Sequence, residues 1–411
     1  MKVLFLLAYY YPETAASIYL FDNVIDALVK DGNDVELICP IPGRGIEKTV
    51  NTEYRKRLDE YEKNNHLHIH RFKMGMEGDG TLGRFWRYFK CCWKTFFLSL
   101  KIKNVGVIFA ESTPPILGAT AVFIKKIMKK PLVYNLQDIF PDSLVLTGIG
   151  KKDSFGWKLG RIIENYTYKG SNKIITISQD FRNNILKKKV PDEKITVVYN
   201  WVDENAVRDI SRSENKLFDK YNLDRSKFYV TYCGNIGLSQ NMDMLLCVAE
   251  ELKFTMPNIK FVLVGDGAYL DKLKKTVSEK NLNNIVFLPF QPYEDISHVF
   301  SIGDASLVIS KPGTGNGCVP SKTWSIMSAS RPVLANFDEN ELKTIVEDHQ
   351  CGIFTKAGDK EAFKQSILTL YNNRELCKEY GRNGRQFVMD NLTKEVGTQK
   401  YVDVIKSFEK I

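Results

Sequence analysis

The feature that most constrains the fold is a regular alternation of short apolar runs with longer amphipathic segments. Apolar runs of strand length occupy residues 2–8, 34–39, 69–72, 105–110, 131–135, 173–177 and 195–199, and then 229–233, 259–264, 285–288, 305–309, 332–335 and 352–354. Strands that are apolar throughout and separated by helices predict parallel sheets covered on both faces. A chain of 411 residues is long enough for two such domains. The polar, strandless residues 203–226 are predicted to link them.

The composition indicates a globular protein in a reducing cytoplasm. The hydrophobic fraction is 44%, and the eight cysteines are scattered without a Cys-x-x-Cys pair. That pattern argues against a disulfide framework and a zinc knuckle. Residues 1–7 are apolar enough for a signal peptide, but three tyrosines, a proline and a glutamate follow them, so we interpret them as the first strand. No apolar run approaches the roughly 18 residues that a membrane span needs, and any membrane contact is expected to be peripheral.

The formal charge of +9 is concentrated in one predicted helix, since residues 81–110 contain no acidic residue. A helical wheel places aromatic residues on one arc and basic residues on the next. The residues assigned to a membrane surface are Arg84, Trp86, Arg87, Lys90, Trp93 and Lys94. This composition suits an anionic lipid surface. In the alternative interpretation the aromatic arc packs on the domain's own sheet and only the basic arc is wet. No nucleic-acid-binding module is recognisable, so nucleic acid is not expected as a partner.

Three strand-to-loop elements of the second half predict an anion site. Glycine turns follow the apolar runs at 229–233 and 259–264, where missing side chains let a ligand approach the backbone. In the third element, residues 319–335, Pro320 and Ser321 are typical helix-start residues and Lys322 lies beside them. Amides of a first helical turn together with a lysine suit a phosphate. The carboxyl ends of parallel strands meet at one edge of a sheet, so we expect a nucleotide diphosphate to bind there.

A metal site is not expected. His66, His68 and His70 alternate and would share one face of a strand, but Arg71 and Phe72 simply continue the strand and no carboxylate or cysteine completes a ligand set. Asp266 stands alone, without the second carboxylate of an acidic pair. We therefore predict no cofactor and a metal-independent reaction.

The ordered set of motifs resembles family 4 retaining glycosyltransferases, in the branch that serves capsule, O-antigen and colanic acid synthesis. The three elements above carry the resemblance together with Tyr-Tyr-Tyr-Pro-Glu at 9–13, Gln-Asp-Ile-Phe-Pro-Asp-Ser at 137–143 and Val-Tyr-Asn-Trp-Val-Asp at 198–203. The resemblance implies the GT-B fold, an α/β architecture of two doubly wound Rossmann-like domains facing across a cleft. It places an acceptor-binding domain at 1–203, a donor-binding domain at 204–390, and a helix at 391–411 that returns to the first domain.

The resemblance also implies the site residues. The donor nucleotide sugar is expected to contact Gly234, Asn235, Gly237, Gly265, Gly267, Pro320, Ser321, Lys322 and Ser325. Lys322 would act as a point charge on the diphosphate, and Asp138 would handle a proton or orient a sugar. Gln137 stands where many relatives have histidine, which favours hydrogen bonding over an imidazole base. The first-domain loop that approaches the acceptor or the diphosphate would contain Tyr11, Glu13, Ala15 and Ala16. Glu13 would either face an acceptor hydroxyl or begin a helix.

The chain departs from the family pattern at two glutamates, which map to Gly317 and Ser325. Three hypotheses follow. The first is a cytoplasmic enzyme, peripheral on the inner face of the membrane, that moves a sugar from a UDP-sugar, an N-acetylated amino sugar among the candidates, to a lipid-linked saccharide in bacterial surface polysaccharide biosynthesis. The second is a catalytically impaired homologue that acts as a binding or scaffold subunit. The third is a nucleotide-sugar epimerase.

Overall fold

The computed structural model describes residues 1–13, 17–78, 80–146, 150–315 and 319–409, without the side chains of residues 81, 82, 84 and 146. The chain divides into two compact units. The first comprises Met1–Asn200 with Gly397–Ile411, and the second comprises Trp201–Val396. The sequence analysis placed its boundaries at 203/204 and 390/391.

The described residues of the first unit form an eight-stranded sheet of order β3-β4-β2-β1-β5-β6-β7-β8. The strands are β1 Lys2–Leu6, β2 Asp34–Pro40, β3 Asp59–Glu62, β4 Leu67–Phe72, β5 Val107–Glu111, β6 Leu132–Leu136, β7 Lys173–Thr176 and β8 Ile195–Val197. All neighbouring pairs are parallel except β3 with β4, which is antiparallel. The edge strand β3 is absent from the sequence prediction because its side chains are polar and mostly exposed.

Helices cover both faces of this sheet, as continuous apolar strands require. They are α1 Ile18–Lys30, α2 Lys48–Tyr54, α3 Thr81–Ser99, α4 Pro115–Met128, α5 Asp142–Leu146, α6 Phe155–Gly170 and α7 Gln179–Lys187, with a 3-10 turn at Asp192–Lys194. The side chains of β1, β5 and β6 are buried almost throughout. Tyr401 of the C-terminal segment is buried against Phe109, and its hydroxyl donates to Asn135 Oδ1 over 3.0 Å.

The second unit holds a six-stranded, all-parallel sheet within the described residues, of order β11-β10-β9-β12-β13-β14. Its strands are β9 Phe228–Cys233, β10 Ile259–Val264, β11 Ile285–Leu288, β12 Ala305–Ile309, β13 Val333–Phe337 and β14 Gly352–Lys356. Its helices are α8 Leu217–Lys220, α9 Met242–Thr255, α10 Leu270–Glu279, α11 Ile296–Phe300, α12 Lys322–Ser328, α13 Glu341–Asp348, α14 Lys360–Asn372 and α15 Arg374–Asn391, with a 3-10 turn at Tyr293–Asp295. The last helix, α16 Lys394–Lys406, begins in this unit and belongs to the first unit from Gly397 onward.

The expected linker at 203–226 is a packed part of the second unit, and that prediction was wrong. Leu217 and Phe218 of α8 are buried, and so is Asn215. The backbone amides of Arg208 and Ile210 donate to the hydroxyls of Ser297 and Ser301 on and beside α11. Serine side chains of another segment therefore serve as hydrogen-bond partners for the backbone of this stretch, which composition alone does not distinguish from a solvated linker. None of the helices described is both long and apolar enough to cross a bilayer.

Candidate functional site

The strand order of the second unit marks the edge where a ligand would bind. From β9 the chain moves outward through β10 and β11, and it then returns to β12 on the other side of β9 and moves outward through β13 and β14. Ligands of open α/β sheets bind at the carboxyl ends of the strands where the direction reverses. Gly234 follows β9 directly, and its φ of +133° lies in the region that favours glycine.

The two glycine turns pack against each other. The Gly234 amide donates to the Val264 carbonyl over 2.9 Å, and the Ile236 amide donates to the Asp266 carbonyl over 2.8 Å. A Cβ at Gly265 would collide with the Gly234 carbonyl oxygen, and one at Gly267 would collide with the Ile236 carbonyl oxygen. The sequence analysis explained Gly265 and Gly267 by ligand approach, whereas the structure requires them for contact between the turns.

Gly234 has a different neighbour. A Cβ at this position would lie 3.3 Å from the ammonium nitrogen of Lys322, so this glycine leaves the space in front of that cation open. The Lys322 ammonium donates to the Tyr232 hydroxyl over 2.7 Å and lies 4.0 Å from the centroid of the Tyr232 ring. The same hydroxyl donates to the Asn235 carbonyl over 2.6 Å. Tyr232, which is fully buried, thus fixes Lys322 at the end of β9.

The electrostatics of Lys322 suit an anion. Burial lowers the pKa of Lys322 to about 8, because few polar groups replace the water around its ammonium. A bound anion would supply the missing counter-charge. This arrangement concentrates an under-compensated positive charge at the carboxyl end of the central strand.

The helix start beside Lys322 differs in part from the prediction. The amides of Thr323 and Trp324 donate to the carbonyls of Pro320 and Ser321 over 2.9 and 3.1 Å. These two amides are therefore committed within the turn and not to a phosphate. Ser325 is half-buried on α12.

The structure also locates Gly237 and Asn235, two further residues predicted to bind the donor. The Gly237 amide donates to Gln240 Oε1 over 2.9 Å, so that amide is occupied. Asn235 Oδ1 lies beside Gly267 and occupies the space that a Cβ on that residue would need. Gly317, one of the two positions where the family has glutamate, lies outside the described residues.

In the first unit, Glu13 neither faces solvent nor begins a helix. It is buried, and its carboxylate accepts hydrogen bonds from the amides of Gly43 at 2.7 Å, Arg44 at 3.0 Å and Tyr10 at 3.2 Å. Glu13 therefore joins the loop after β1 to the loop after β2. Tyr11 is exposed beside it. Ala15 and Ala16 lie outside the described residues.

Gln137 and Asp138 both follow β6, but they differ in how accessible their side chains are to a ligand. The Gln137 amide accepts from Asn200 Nδ2 over 2.8 Å and donates weakly to Asn200 Oδ1 and Asn135 Oδ1 over 3.3 and 3.4 Å. Its side chain is thus held within the first unit. Asp138 as a whole residue is exposed, but its carboxylate is partly desolvated, which raises its pKa; the Ser143 hydroxyl and the Ile139 amide donate to it and offset only part of that rise. Of the two, Asp138 is the residue with a free edge for a ligand.

Sequence reasoning missed Glu111, the last residue of β5. Its carboxyl is buried and accepts from the Ala8 amide over 2.7 Å. Burial, with the charge of Glu13 as a smaller cause, raises the pKa of Glu111 to about 8. A carboxylic acid at the end of an apolar strand was the signal that could have identified it, since polar residues at such ends gather at the sheet's ligand-binding edge.

Helix α3 presents its aromatic residues to solvent. Trp86 is 53% and Trp93 is 58% exposed, and Phe85, Phe89 and Phe97 are exposed with them. The buried face of the helix consists of small residues: Cys91, Cys92, Thr95 and Ser99. The alternative in which the aromatic arc packs on the domain's own sheet is therefore wrong.

The basic residues of α3 border this exposed face. Arg87 donates to the Gly75 carbonyl, and Lys94 donates to the Lys73 carbonyl over 2.7 Å. In both bonds the acceptor is a carbonyl, which brings no counter-charge. Lys90 is exposed, and the side chain of Arg84 lies outside the described part of the chain.

The histidine strand also differs from the prediction. The sequence analysis found no carboxylate to complete a ligand set, but the sheet register places Glu36 of β2 opposite His68, and Asp59 of β3 opposite His70. Both carboxylates are within ion-pairing distance of the two imidazoles. His66 instead pairs with Asp34.

Two family models and several known relatives match this chain. The Glycosyltransferase Family 4 model matches residues 20–206, and the Glycosyl transferases group 1 model matches residues 213–387. The "Probable glycosyltransferase WbjE" of Pseudomonas aeruginosa is 24% identical over 323 residues, which cover 76% of this chain and 78% of that protein. The "Putative colanic acid biosynthesis glycosyl transferase WcaI" of Escherichia coli K12 is 26% identical over 200 residues, 48% of each chain.

Solved structures share the fold over the full length. Anabaena HepE in complex with UDP has a TM-score of 0.70 at 17% identity and covers 99% of this chain and 100% of its own. The sucrose-phosphate synthase of Thermosynechococcus elongatus has a TM-score of 0.73 at 14% identity, with 100% and 99% covered. The fold and the two family models define a glycosyltransferase of the GT-B class. Within that class the chain belongs to glycosyltransferase family 4.

Proposed function

We propose that the chain is a retaining glycosyltransferase that moves a sugar from a UDP-sugar to a lipid-linked saccharide during assembly of bacterial surface polysaccharide. The observation that carries the proposal is the buried ammonium of Lys322, held by Tyr232 in front of Gly234 at the carboxyl end of β9. Support for the donor comes from HepE, whose structures include complexes with UDP and with UDP-glucose. Support for the pathway comes from relatives named for colanic acid and for capsular polysaccharide biosynthesis.

The chemistry requires a counter-charge more than a protein base. The acceptor hydroxyl oxygen bonds to the anomeric carbon while the bond from that carbon to the phosphate oxygen breaks, and the hydroxyl proton passes to the departing phosphate. Negative charge then accumulates on the diphosphate, where a preorganised cation stabilises the transition state. Lys322 supplies that cation. In this scheme Asp138 orients the sugar or the acceptor, and Gln137 supports the backbone after β6 through its bonds to Asn200.

The acceptor proposal rests on the exposed surface of three helices of the first unit. Helix α4 contacts both α3 and α6, and each of the three exposes large apolar side chains. Besides the aromatic residues of α3, the exposed side chains are Phe123, Ile127, Phe155, Leu159 and Ile162. Exposed apolar groups bordered by lysines and arginines suit the interface of an anionic bilayer. An enzyme held there meets lipid-linked acceptors in two dimensions.

The function is tested first by ligand binding and then by turnover. The intact protein is titrated with UDP, UDP-glucose, UDP-N-acetylglucosamine and GDP-mannose, with thermal shift as readout, beside Lys322→Met, Asp138→Asn and the control Lys275→Met. Lys275 is an exposed lysine of the same unit, paired with Glu279. We expect UDP ligands to raise the melting temperature of wild type and the control, and not of Lys322→Met. Indifference of the wild type to every nucleotide would contradict the proposal.

Turnover separates the proposal from its two rivals. With a lipid-linked acceptor, the enzyme releases UDP and glycosylates the lipid, and the product keeps the anomeric configuration of the donor. A binding or scaffold subunit would bind nucleotide without turnover even with acceptor extracts. An epimerase would convert the free donor to another nucleotide sugar without any acceptor.

The membrane surface has its own test, flotation with vesicles containing phosphatidylglycerol. The double variant Trp86→Ser with Trp93→Ser is expected to lose most of its vesicle-bound fraction, since two indole rings leave the interface. Phe254→Ser is the control because Phe254 is 82% exposed and belongs to the second unit. Equal flotation of the double variant and the wild type would remove this surface from the proposal.

A further inference from the structure

A cluster of nitrogen and oxygen donors lies at one edge of the first unit's sheet, and none of its residues is assigned to sugar transfer. His68 and His70 are two positions apart on β4, so their side chains share a face. Glu36 reaches them from β2, and Asp59 reaches them from β3. His68 lies four positions before Phe72, the last residue of β4. At 3.3 Å per residue, His68 is therefore about 13 Å from the carboxyl end of the strand.

The distances between the donor atoms of Glu36, His68 and His70 are close to those within a metal ligand set. Glu36 Oε2 lies 2.6 Å from His70 Nε2 and 3.2 Å from His68 Nδ1. One donor atom from each of these three residues lies within 4.8 Å of the others. Around a tetrahedral zinc ion with bonds of about 2.0–2.1 Å, neighbouring ligand atoms are about 3.3 Å apart. Small side-chain movements therefore suffice to bind an ion.

Asp59 faces the other nitrogen of each imidazole. Its Oδ1 lies 3.1 Å from His70 Nδ1 and 3.5 Å from His68 Nε2. His68 Nε2 is buried and makes no hydrogen bond of good geometry. The two rings therefore lie between Glu36 of β2 and Asp59 of β3, and Asp59 is placed to hold their orientation while the nitrogens that face Glu36 bind an ion.

The charge of the cluster also favours a cation. Glu36 and Asp59 bring two carboxylates, and Lys2 is bonded to Glu36 Oε1 over 2.6 Å, which leaves Oε2 to face the imidazoles. The centroids of the two imidazole rings are only 3.8 Å apart, so two protonated rings would repel each other strongly. A divalent ion placed between neutral rings would balance the carboxylates. Lys2 would then orient the Glu36 carboxylate from behind, as outer partners of metal ligands do.

We propose that Glu36 Oε2, His68 Nδ1 and His70 Nε2 bind a divalent transition-metal ion, zinc in the first instance, with Asp59 as an outer partner of the two imidazoles. Two imidazoles with a carboxylate are a common donor set for zinc. The ion would fix β2 to β4, Asp59 would join the edge strand β3 to the same imidazoles, and the ion would act in stability, not in sugar transfer. The proposal is thus independent of the proposed function, and it is compatible with a reaction that needs no metal.

The test uses the full-length protein after dialysis against EDTA and then against metal-free buffer. Zinc is added, unbound ion is removed by gel filtration, and the bound ion is counted by mass spectrometry; cobalt absorption spectra report the coordination geometry. We expect one equivalent per chain in the wild type and a tetrahedral cobalt spectrum. A hundredfold excess of zinc over its Kd is expected to raise the melting temperature by about 3 °C in a chain of this length.

Variants distinguish this site from adventitious binding. His68→Gln and His70→Gln are each expected to lower zinc affinity about 100-fold or more, whereas His66→Gln, which alters an exposed ring paired with Asp34, binds as the wild type does. His68 is the less buried of the two ligands, so His68→Gln keeps the test valid if His70→Gln unfolds; the melting temperature in EDTA reports the fold of each. Wild-type protein with no more zinc than the buffer, or undiminished binding by His68→Gln, would overturn the proposal.

Discussion

Replacing Lys322 by methionine is expected to weaken nucleotide binding and at the same time to stabilise the ligand-free protein. Lowering a lysine pKa from 10.5 to about 8 corresponds to roughly 3 kcal/mol against the charged form in the empty site. Methionine has a similar length and no charge, so it removes that penalty. We expect a gain of up to about 3 kcal/mol at pH 7, reduced by loss of the bond to the Tyr232 hydroxyl.

The same substitution removes the cation that we assign to the diphosphate. A hydrogen bond to a charged group contributes about 1.5–3 kcal/mol, which corresponds to a loss of affinity for UDP of about 10- to 150-fold. Opposite effects on stability and binding distinguish a functional cation from a structural one, since loss of a structural lysine would lower stability.

The pH dependence follows from the same pKa. The ammonium is penalised in the folded, empty protein, so the destabilisation is full below pH 8 and is relieved as the pH rises from about 8 towards 10.5. A bound diphosphate restores the charged form. UDP affinity should therefore be constant with pH below about 8 and fall up to tenfold per pH unit above it.

The assay is isothermal titration calorimetry with UDP at pH 6.5 to 9.5, in buffers of different ionisation enthalpy, so that proton uptake on binding is counted directly. Chemical denaturation of the ligand-free protein supplies the stabilities. Lys275→Met is the control, because its lysine is 76% exposed. The reasoning is refuted if Lys322→Met binds UDP like the wild type, or if that variant is less stable than the wild type without ligand.

Three further predictions concern the architecture around the site. Gly265→Ala places a Cβ against the Gly234 carbonyl at a φ of +145°, so it should destabilise the protein by about 3 kcal/mol or more. The control Gly156→Ala, with open space around it in α6, should be neutral or stabilising. Thermal unfolding of both variants is the measurement, and a tolerated Gly265→Ala would contradict the turn packing. Tyr232→Phe removes the hydroxyl that binds both Lys322 and Asn235, and a loss of about 1–2 kcal/mol in urea denaturation is expected, with no loss counting against that role. Burial raises the pKa of Glu111 to about 8, so the contribution of this carboxyl to stability is present in full below pH 4.5 and is lost as the pH rises through 8. The melting temperature of Glu111→Gln, measured relative to the wild type, should therefore increase from pH 5 to pH 9. Parallel pH profiles of the two proteins would exclude the shifted pKa.

Much of the fold was predictable because buried parallel strands are apolar along their whole length. The predicted runs at 259–264, 285–288 and 305–309 coincide with β10, β11 and β12. Strand β3 was not predictable in this way, because an edge strand that faces solvent carries polar residues. The prediction for the segment at 203–226 was wrong for a related reason, because its backbone amides and the side chain of Asn215 bond to a neighbouring helix.

The site was predictable in position and not in detail. The sequence places Lys322 at a helix start after a strand, which located the cation, but its partner Tyr232 lies 90 positions away and only the fold brings them together. The role of Gly265 also depends on a second turn that packs against it. Which face of α3 is buried did not follow from hydrophobicity, because the small Cys91 and Thr95 are buried while the larger Trp86 and Trp93 are exposed.

The central claim is that Lys322, in front of Gly234, receives the diphosphate of a nucleotide sugar. The most direct measurement is a crystal structure of this protein with UDP bound. The account predicts phosphate oxygens within hydrogen-bonding distance of Lys322 Nζ and against the turn at Gly234, at the carboxyl end of β9. UDP bound elsewhere, or bound with its phosphates pointing away from Lys322, would contradict it.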